Sequence, residues 1–116
     1  MNAQTRVVRI RRKGGAVVQD CDVYIGRQMT QGGWMLTTSE WANPFKIGPM
    51  TRDEVIIAYQ DMIYKKIRDD PSIIDKLHQL RGKTLGCWCA PEPCHGDVLA
   101  RMAEMSREEL IEMSKR

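Results

Sequence analysis

The chain has no apolar run approaching the roughly 20 residues that a membrane-spanning helix needs, so no membrane partner is expected. Its start, Met1 to Lys13, is basic and lacks an apolar core segment. No signal peptide is therefore expected, and a cytoplasmic location follows. No internal repeat, low-complexity segment or interdomain linker breaks up the 116 residues. That length suits one domain with one core, expected over about residues 6–104, with a C-terminal helix at 106–115. Cysteine is sparse, with four in all. Cys87 and Cys89 are too close along a strand to bridge easily, so reduced thiols or metal ligands fit better than a disulfide framework. Also missing is a pair of carboxylates at the spacing that would mark a glycosidase or phosphatase.

What is present is the composition of a soluble globular protein, 42% hydrophobic and 28% charged. The net charge of +3 is mildly basic and does not by itself imply nucleic acid. Arg6, Arg9, Arg11, Arg12 and Lys13 do form a local cluster. One reading is a solvated edge strand whose charges discourage edge pairing. The other is a strip that binds phosphates, and through them nucleic acid.

The richest stretch runs from Leu85 to Asp97 and holds Cys87, Cys89, Cys94 and His95. Lys83 to Trp88 is short and apolar and reads as a buried strand. Pro91 and Pro93 cannot continue a ladder and force a tight excursion. From His95, the spacing of Val98, Leu99 and Met102 is helical. The reactive side chains thus fall where a strand ends and a helix begins, the place where open α/β sheets bind ligands. A helix start also offers free N–H groups and partial positive charge.

Upstream, Val7, Val8 and Ile10 suggest a first strand ending at Lys13-Gly14-Gly15, with Ala16 to Val18 returning as a hairpin. Asp22 to Ile25 reads as a core strand closed by Gly26-Arg27, a pair suited to a phosphate or carboxylate. Gly26 has an equally good reason to be there for the turn alone. Gln28 to Ser39 reads as a loop. In Trp41-Ala42-Asn43-Pro44-Phe45, two aromatics flank an amide, which either holds a flat ligand or pins the loop to a core. Thr51 and Glu54 form a capping box that opens a helix of about 17 residues with Val55, Tyr59, Met62, Ile63 and Ile67 on its apolar face. Ser72 starts a shorter helix, which Gly82 stops. His78 on that helix reads as a surface residue. Ser106 and Glu109 form a second capping box for a last helix. Parallel neighbours joined by a crossover deliver their carboxyl ends to one edge, so Arg27, Asn43 and His95 are expected to converge on one cavity there.

Three readings of the cysteine–histidine stretch stand side by side. Cys87, Cys89, Cys94 and His95 are a ligand set of the zinc or iron–sulfur kind, although the spacing is tighter than in ordinary zinc sites. Alternatively Cys94, at a helix start beside His95, is a thiol of lowered pKa fit for nucleophilic chemistry. In the third reading the cysteines are buried small hydrophobes, and His95, Asp97 and the turn backbone contact a ligand.

These residues carry a resemblance. Val23-Tyr24-Ile25-Gly26-Arg27, then Trp41 to Phe45, Arg52 with Val55, Ile56 and Tyr59, and Gly86-Cys87-Trp88-Cys89 with Pro91 and Cys94 to Leu99 look like the domain of unknown function 4326 family of bacteria, phages and large viruses. The likeness runs from about Val7 to about Met102 and implies no activity. The Cys…Cys-His junction also resembles the domain of unknown function 488 proteins, where arginine stands at the position of Gly96. A fainter likeness is to Rossmann-like nucleotide-sensing domains. The expectation is therefore a small α/β domain with a mainly parallel, Rossmann-like sheet and helices packed on its faces. Its carboxyl edge would bind, and in one version hydrolyse, a nucleotide-like or phosphorylated small ligand. Gly26, Arg27, Trp41, Asn43 and Cys89 would bind it, His95, Asp97 and Cys94 would act on it, and Glu40 would be the alternative base. No cofactor is expected on this reading. The rival is a small zinc- or nucleic-acid-binding module.

Overall fold

The computed structural model describes residues 4–13, 16–19, 21–27, 38–45, 48–88 and 94–116, with backbone alone for 11–13 and 16–19. Among the described residues, five strands precede or alternate with four helices. They are β1 (Arg6–Arg9), β2 (Arg11–Lys13), β3 (Ala16–Gln19), β4 (Val23–Tyr24), α1 (Arg52–Asp69), α2 (Ile73–His78), β5 (Thr84–Cys87), α3 (His95–Ala103) and α4 (Arg107–Ser114).

The last strand in the chain is the middle strand of the sheet. The order is β1-β5-β4, and both pairings are parallel. Arg6 to Arg9 pair with Thr84 to Cys87 on one side, and Val23 and Tyr24 pair with Leu85 and Gly86 on the other. A strand covered on both faces reads as a continuous apolar run, and Leu85, Gly86 and Cys87 are all buried. The ladder extends past β4: Ile25 N–H donates to the Gly86 carbonyl at 3.0 Å, and Asp22 holds Thr84 by two bonds of 2.8 Å. The fold is thus a small α/β architecture with a parallel sheet.

The expected first strand divides in two. β1 joins the parallel sheet, whereas Arg11–Lys13 leaves it to form a separate antiparallel hairpin with β3. Ile10 sits between them, buried, with its N–H on the Cys87 carbonyl. The Gly14-Gly15 turn lies outside the described residues. Arg6 and Arg9 are exposed on the edge strand, where their charge opposes further pairing.

Both predicted capping boxes form. Thr51 and Glu54 exchange side-chain and backbone bonds at the start of α1, and Ser106 and Glu109 do so at α4. Ser72 does not cap α2. Its hydroxyl and N–H both donate to the Asp70 carboxylate instead, at 2.7 and 3.2 Å. Gly82 ends the α2 turn with φ 72°, a left-handed conformation that glycine adopts without a Cβ clash.

Helix α3 lies on the sheet, and α1 packs chiefly on α3 and α4. Val55, Tyr59 and Ile63 of α1 are buried as expected, Met62 is half-buried against the core, and Lys66 is exposed. His78 is a correction. It is half-buried, and its Nε2 bonds the Met105 carbonyl at 2.8 Å. Arg81 also holds carbonyls at that helix end, those of Ala103 and Met105, where a cation suits the helix dipole.

Gly86 is the tightest point of the sheet. A Cβ there would sit 2.4 Å from Cys21 Sγ and 2.7 Å from Ile10 Cγ2. Gly86→Ala should therefore destabilise the chain by about 1–3 kcal/mol through overpacking, read as a lower urea midpoint at unchanged slope. An unchanged midpoint would mean that Ile10 and Cys21 yield freely.

Candidate functional site

The carboxyl ends of β4 and β5, the segment 38–45 and the start of α3 meet at one edge of the sheet. Three contacts fix the meeting. His95 Nε2 donates to the Ile25 carbonyl at 2.8 Å, across 70 residues of sequence. The Arg27 guanidinium donates through Nε and Nη2 to the Asn43 carbonyl at 2.9 and 2.6 Å, and through Nη2 to the Phe45 carbonyl at 3.1 Å. Ser39 N–H donates to the Gly26 carbonyl at 3.0 Å. These contacts bring Arg27, the Asn43 main chain and His95 to one edge of the sheet.

The carbonyl at Ile25 accepts only, so His95 Nε2 carries the proton and Nδ1 is left with a lone pair. The ring stands edge-on to Tyr59, with centroids 4.9 Å apart. Burial lowers the His95 pKa most. The bond to Ile25 opposes that, the Arg27 charge adds to it, and Asp97 works against it. His95 is thus held neutral at physiological pH.

Trp41 belongs to the core. It is 5% exposed, and its carbonyl accepts the Tyr59 hydroxyl at 2.7 Å in a buried bond. Of the two readings for the aromatics around Asn43, the pinned loop is the one realised, and the Trp41 ring does not present itself to a flat ligand. Burial pushes the Tyr59 phenol far up, so it stays a donor throughout the working pH range. Asn43 Oδ1 accepts Phe45 N–H at 2.9 Å, closing its own turn. Its amide nitrogen donates to none of the described residues.

Cys94 is the N-cap of α3. Its sulfur accepts Gly96 N–H at 3.3 Å, while the Asp97 carboxylate accepts Cys94 N–H at 2.9 Å. The expected lowering of the Cys94 pKa is corrected here. Its thiol shares a hydrogen with Cys87 Sγ at 3.3 Å and is buried, and both effects push the pKa up. A protonated, enclosed thiol is a poor nucleophile. Asp97, expected as a base, closes the capping box, and Glu40, the alternative base, is exposed and pairs with Lys76 at 3.4 Å. Cys87 is buried, as its reading as a small hydrophobe has it. Cys89 lies outside the described residues. Among the described residues, no group of three or more potential ligands is placed to hold a metal ion.

Gly96 has a packing reason. A Cβ there would come within 2.9 Å of both Ile25 Cδ1 and Val7 Cγ1, so the helix start presses directly on the sheet. An arginine at this position, as in the domain of unknown function 488 proteins, would not fit this approach.

Sequence reasoning passed over the polar roles of Tyr24, Tyr59 and Trp88. Trp88 Nε1 donates to the Tyr24 hydroxyl at 2.8 Å, the two rings stand 6.4 Å apart at a steep angle, and the Tyr24 hydroxyl donates to the Arg27 carbonyl. The three aromatics were visible as residues of an apolar pattern, but nothing in that pattern marks which hydroxyl or indole N–H finds which carbonyl.

The buried histidine gives a pH signature. The unfolded chain binds a proton near pH 6.5, the ordinary value, and the folded chain only below that. Stability from this group is therefore complete above about pH 6.5 and falls as the pH drops through it towards the folded value. The capped carboxylates Glu54 and Glu109 are held below their ordinary value, so they act at lower pH. Urea unfolding between pH 7.5 and 5 should show this loss (about that range), and His95→Gln should flatten it. A slope that survives in His95→Gln would place the titration elsewhere.

Comparison with known proteins adds family and relatives. The chain is 36% identical over 107 residues to an uncharacterised protein of Acanthamoeba polyphaga mimivirus, covering 85% of this chain and 79% of that protein. It is 32% identical over 62 residues to an uncharacterised 12.4 kDa protein of Enterobacteria phage T4, covering 53% of this chain and 57% of that one. No solved structure matches it. No helix among the described residues is long and apolar enough to cross a membrane. Residues 8–105 match the family described as Domain of unknown function (DUF4326), and the chain belongs to that family.

Proposed function

We propose that the carboxyl edge of the sheet binds a small phosphorylated ligand of the nucleotide kind, with the protein acting in the cytoplasm. The observation that carries this reading is the convergence fixed by His95 on Ile25 and by Arg27 on Asn43. It brings one cation, one amide donor and one neutral imidazole to a single sheet edge. Parallel sheets bind ligands at this edge for a physical reason: strand ends and a helix start expose backbone groups there that no ladder satisfies.

The chemistry divides among three groups. Arg27 uses Nε and Nη2 on the loop, and its remaining Nη1 with the guanidinium charge faces a phosphate oxygen as donor and counter-ion. The Asn43 amide nitrogen supplies a directional donor for a base or sugar. His95 Nδ1 accepts from a ligand hydroxyl or amine. Asp97 and Cys94 support this edge by capping α3 rather than by touching the ligand. Binding, without a bond-breaking step, is the extent of the proposal, because the two described carboxylates considered as bases, Asp97 and Glu40, already have partners.

Thermal unfolding in adenosine monophosphate, ribose phosphate and inorganic phosphate tests it. A true ligand at about 100 times its Kd adds about 2.7 kcal/mol of stability. Asn43→Ala should weaken that ligand by about 1–1.5 kcal/mol, whereas Arg116→Ala, the loss of an exposed arginine that makes none of these contacts, should leave it unchanged. No shift with any of the three at millimolar concentration, or equal losses in both variants, would overturn the proposal.

A further inference from the structure

The buried sulfurs of Cys87 and Cys94 lie 3.3 Å apart, one at the last residue of the central strand and the other at the N-cap of α3. We propose that they are a redox pair, which closes to a disulfide and locks the start of α3 to the end of β5.

Proximity is the first argument. Both thiols already point at each other inside a packed core, with exposures of 1% and 4%. Closure needs an approach of little more than an ångström to reach a sulfur–sulfur bond of about 2.05 Å. Packing of this kind presents one thiol to the other at a high effective concentration, which drives a disulfide towards formation at equilibrium. The same burial keeps the reaction slow, because an oxidant reaches the sulfurs only when the edge opens. The pair is therefore a slow recorder of redox conditions and not a fast catalytic dithiol.

Location is the second argument. Cys94 is the residue whose backbone and sulfur organise the first turn of α3, and His95 follows directly, with its ring on the Ile25 carbonyl. A covalent link at Cys94 fixes the helix start on which that ring depends. Cys21, the other described cysteine, lies against Gly86. The inference does not depend on what the edge binds.

With glutathione disulfide as oxidant, the reaction balances by two exchanges. One cysteine thiolate attacks a glutathione sulfur, forming a mixed disulfide and releasing one glutathione thiol. The second cysteine then attacks the first, releasing another glutathione thiol. The protein loses two protons and two electrons, which appear as the two glutathione thiols.

The test is equilibration of the full chain in glutathione buffers of graded ratio, followed by acid quench, alkylation and peptide mass mapping. Cys21→Ser/Cys89→Ser should give a Cys87–Cys94 cross-linked peptide two hydrogens lighter than the free pair. It should melt about 10 °C higher when oxidised than when reduced, the effect of closing a short loop. Cys87→Ala in the same background removes the link and the shift, while circular dichroism checks that it folds. Cys87 and Cys94 that stay alkylatable at the most oxidising ratio, or that form only mixed disulfides with glutathione, would overturn the inference. So would a cross-linked form that melts lower than the reduced one.

Discussion

Everything at the candidate site is measured from one strand. β5 is four residues long, yet among the described residues it is the only one of the three parallel strands with neighbours on both sides. β1 and β4 never touch each other within the sheet; each holds its place by hydrogen bonds to β5. Such a strand must be apolar throughout and narrow at its centre, and Leu85-Gly86-Cys87 satisfies both demands. Gly86 is narrow because Ile10 and Cys21 close over it from the two flanks. The edge where β4 and β5 end is consequently set by the register of Val23 on Leu85 and Tyr24 on Gly86.

Above that edge, backbone satisfaction explains most of the polar side chains. Cys94 and Asp97 meet donors at the start of α3, Arg27 meets carbonyls in the segment 38–45, and Tyr59 meets the Trp41 carbonyl from inside the core. Irregular backbone packed near a core carries groups that must find partners, and here long-range side chains supply them. The buried Tyr59 bond is costly to break, because a lone carbonyl would remain behind. This bond and the edge-on contact between Tyr59 and His95 connect α1 to the site without any direct part in it.

Much of this was legible in the residues. The two capping boxes, the parallel neighbours Val23–Tyr24 and Thr84–Cys87, and the junction at Cys94-His95 follow from spacing and punctuation that physical rules read directly. Three kinds of feature did not. The split between β1 and β2 depends on Ile10 turning inward, a tertiary choice that the alternation of Val and Arg does not record. Ser72 starts α2 without capping it, because its hydroxyl and N–H are both spent on the Asp70 carboxylate, a choice that only geometry makes. The roles of Trp41, Cys94 and Asp97 depend on burial, which an aromatic, a thiol and a carboxylate in sequence do not declare. The helix start lowers a thiol pKa only where solvent or a cation reaches the sulfur, and at Cys94 the neighbour is another thiol.

The Arg27 clamp has a consequence for how the segment 38–45 can vary. Its three bonds all end on main-chain carbonyls, those of residues 43 and 45. Every amino acid supplies the same carbonyl, so the clamp is indifferent to the side chains it crosses. What it demands is shape: a planar fork long enough to reach two carbonyls two residues apart, which lysine lacks. The loop's path and the loop's chemistry are therefore separable. The surface that this segment shows to solvent can be rewritten while its course over the sheet edge stays the same, provided that Arg27 and the turn closed by Asn43 are kept.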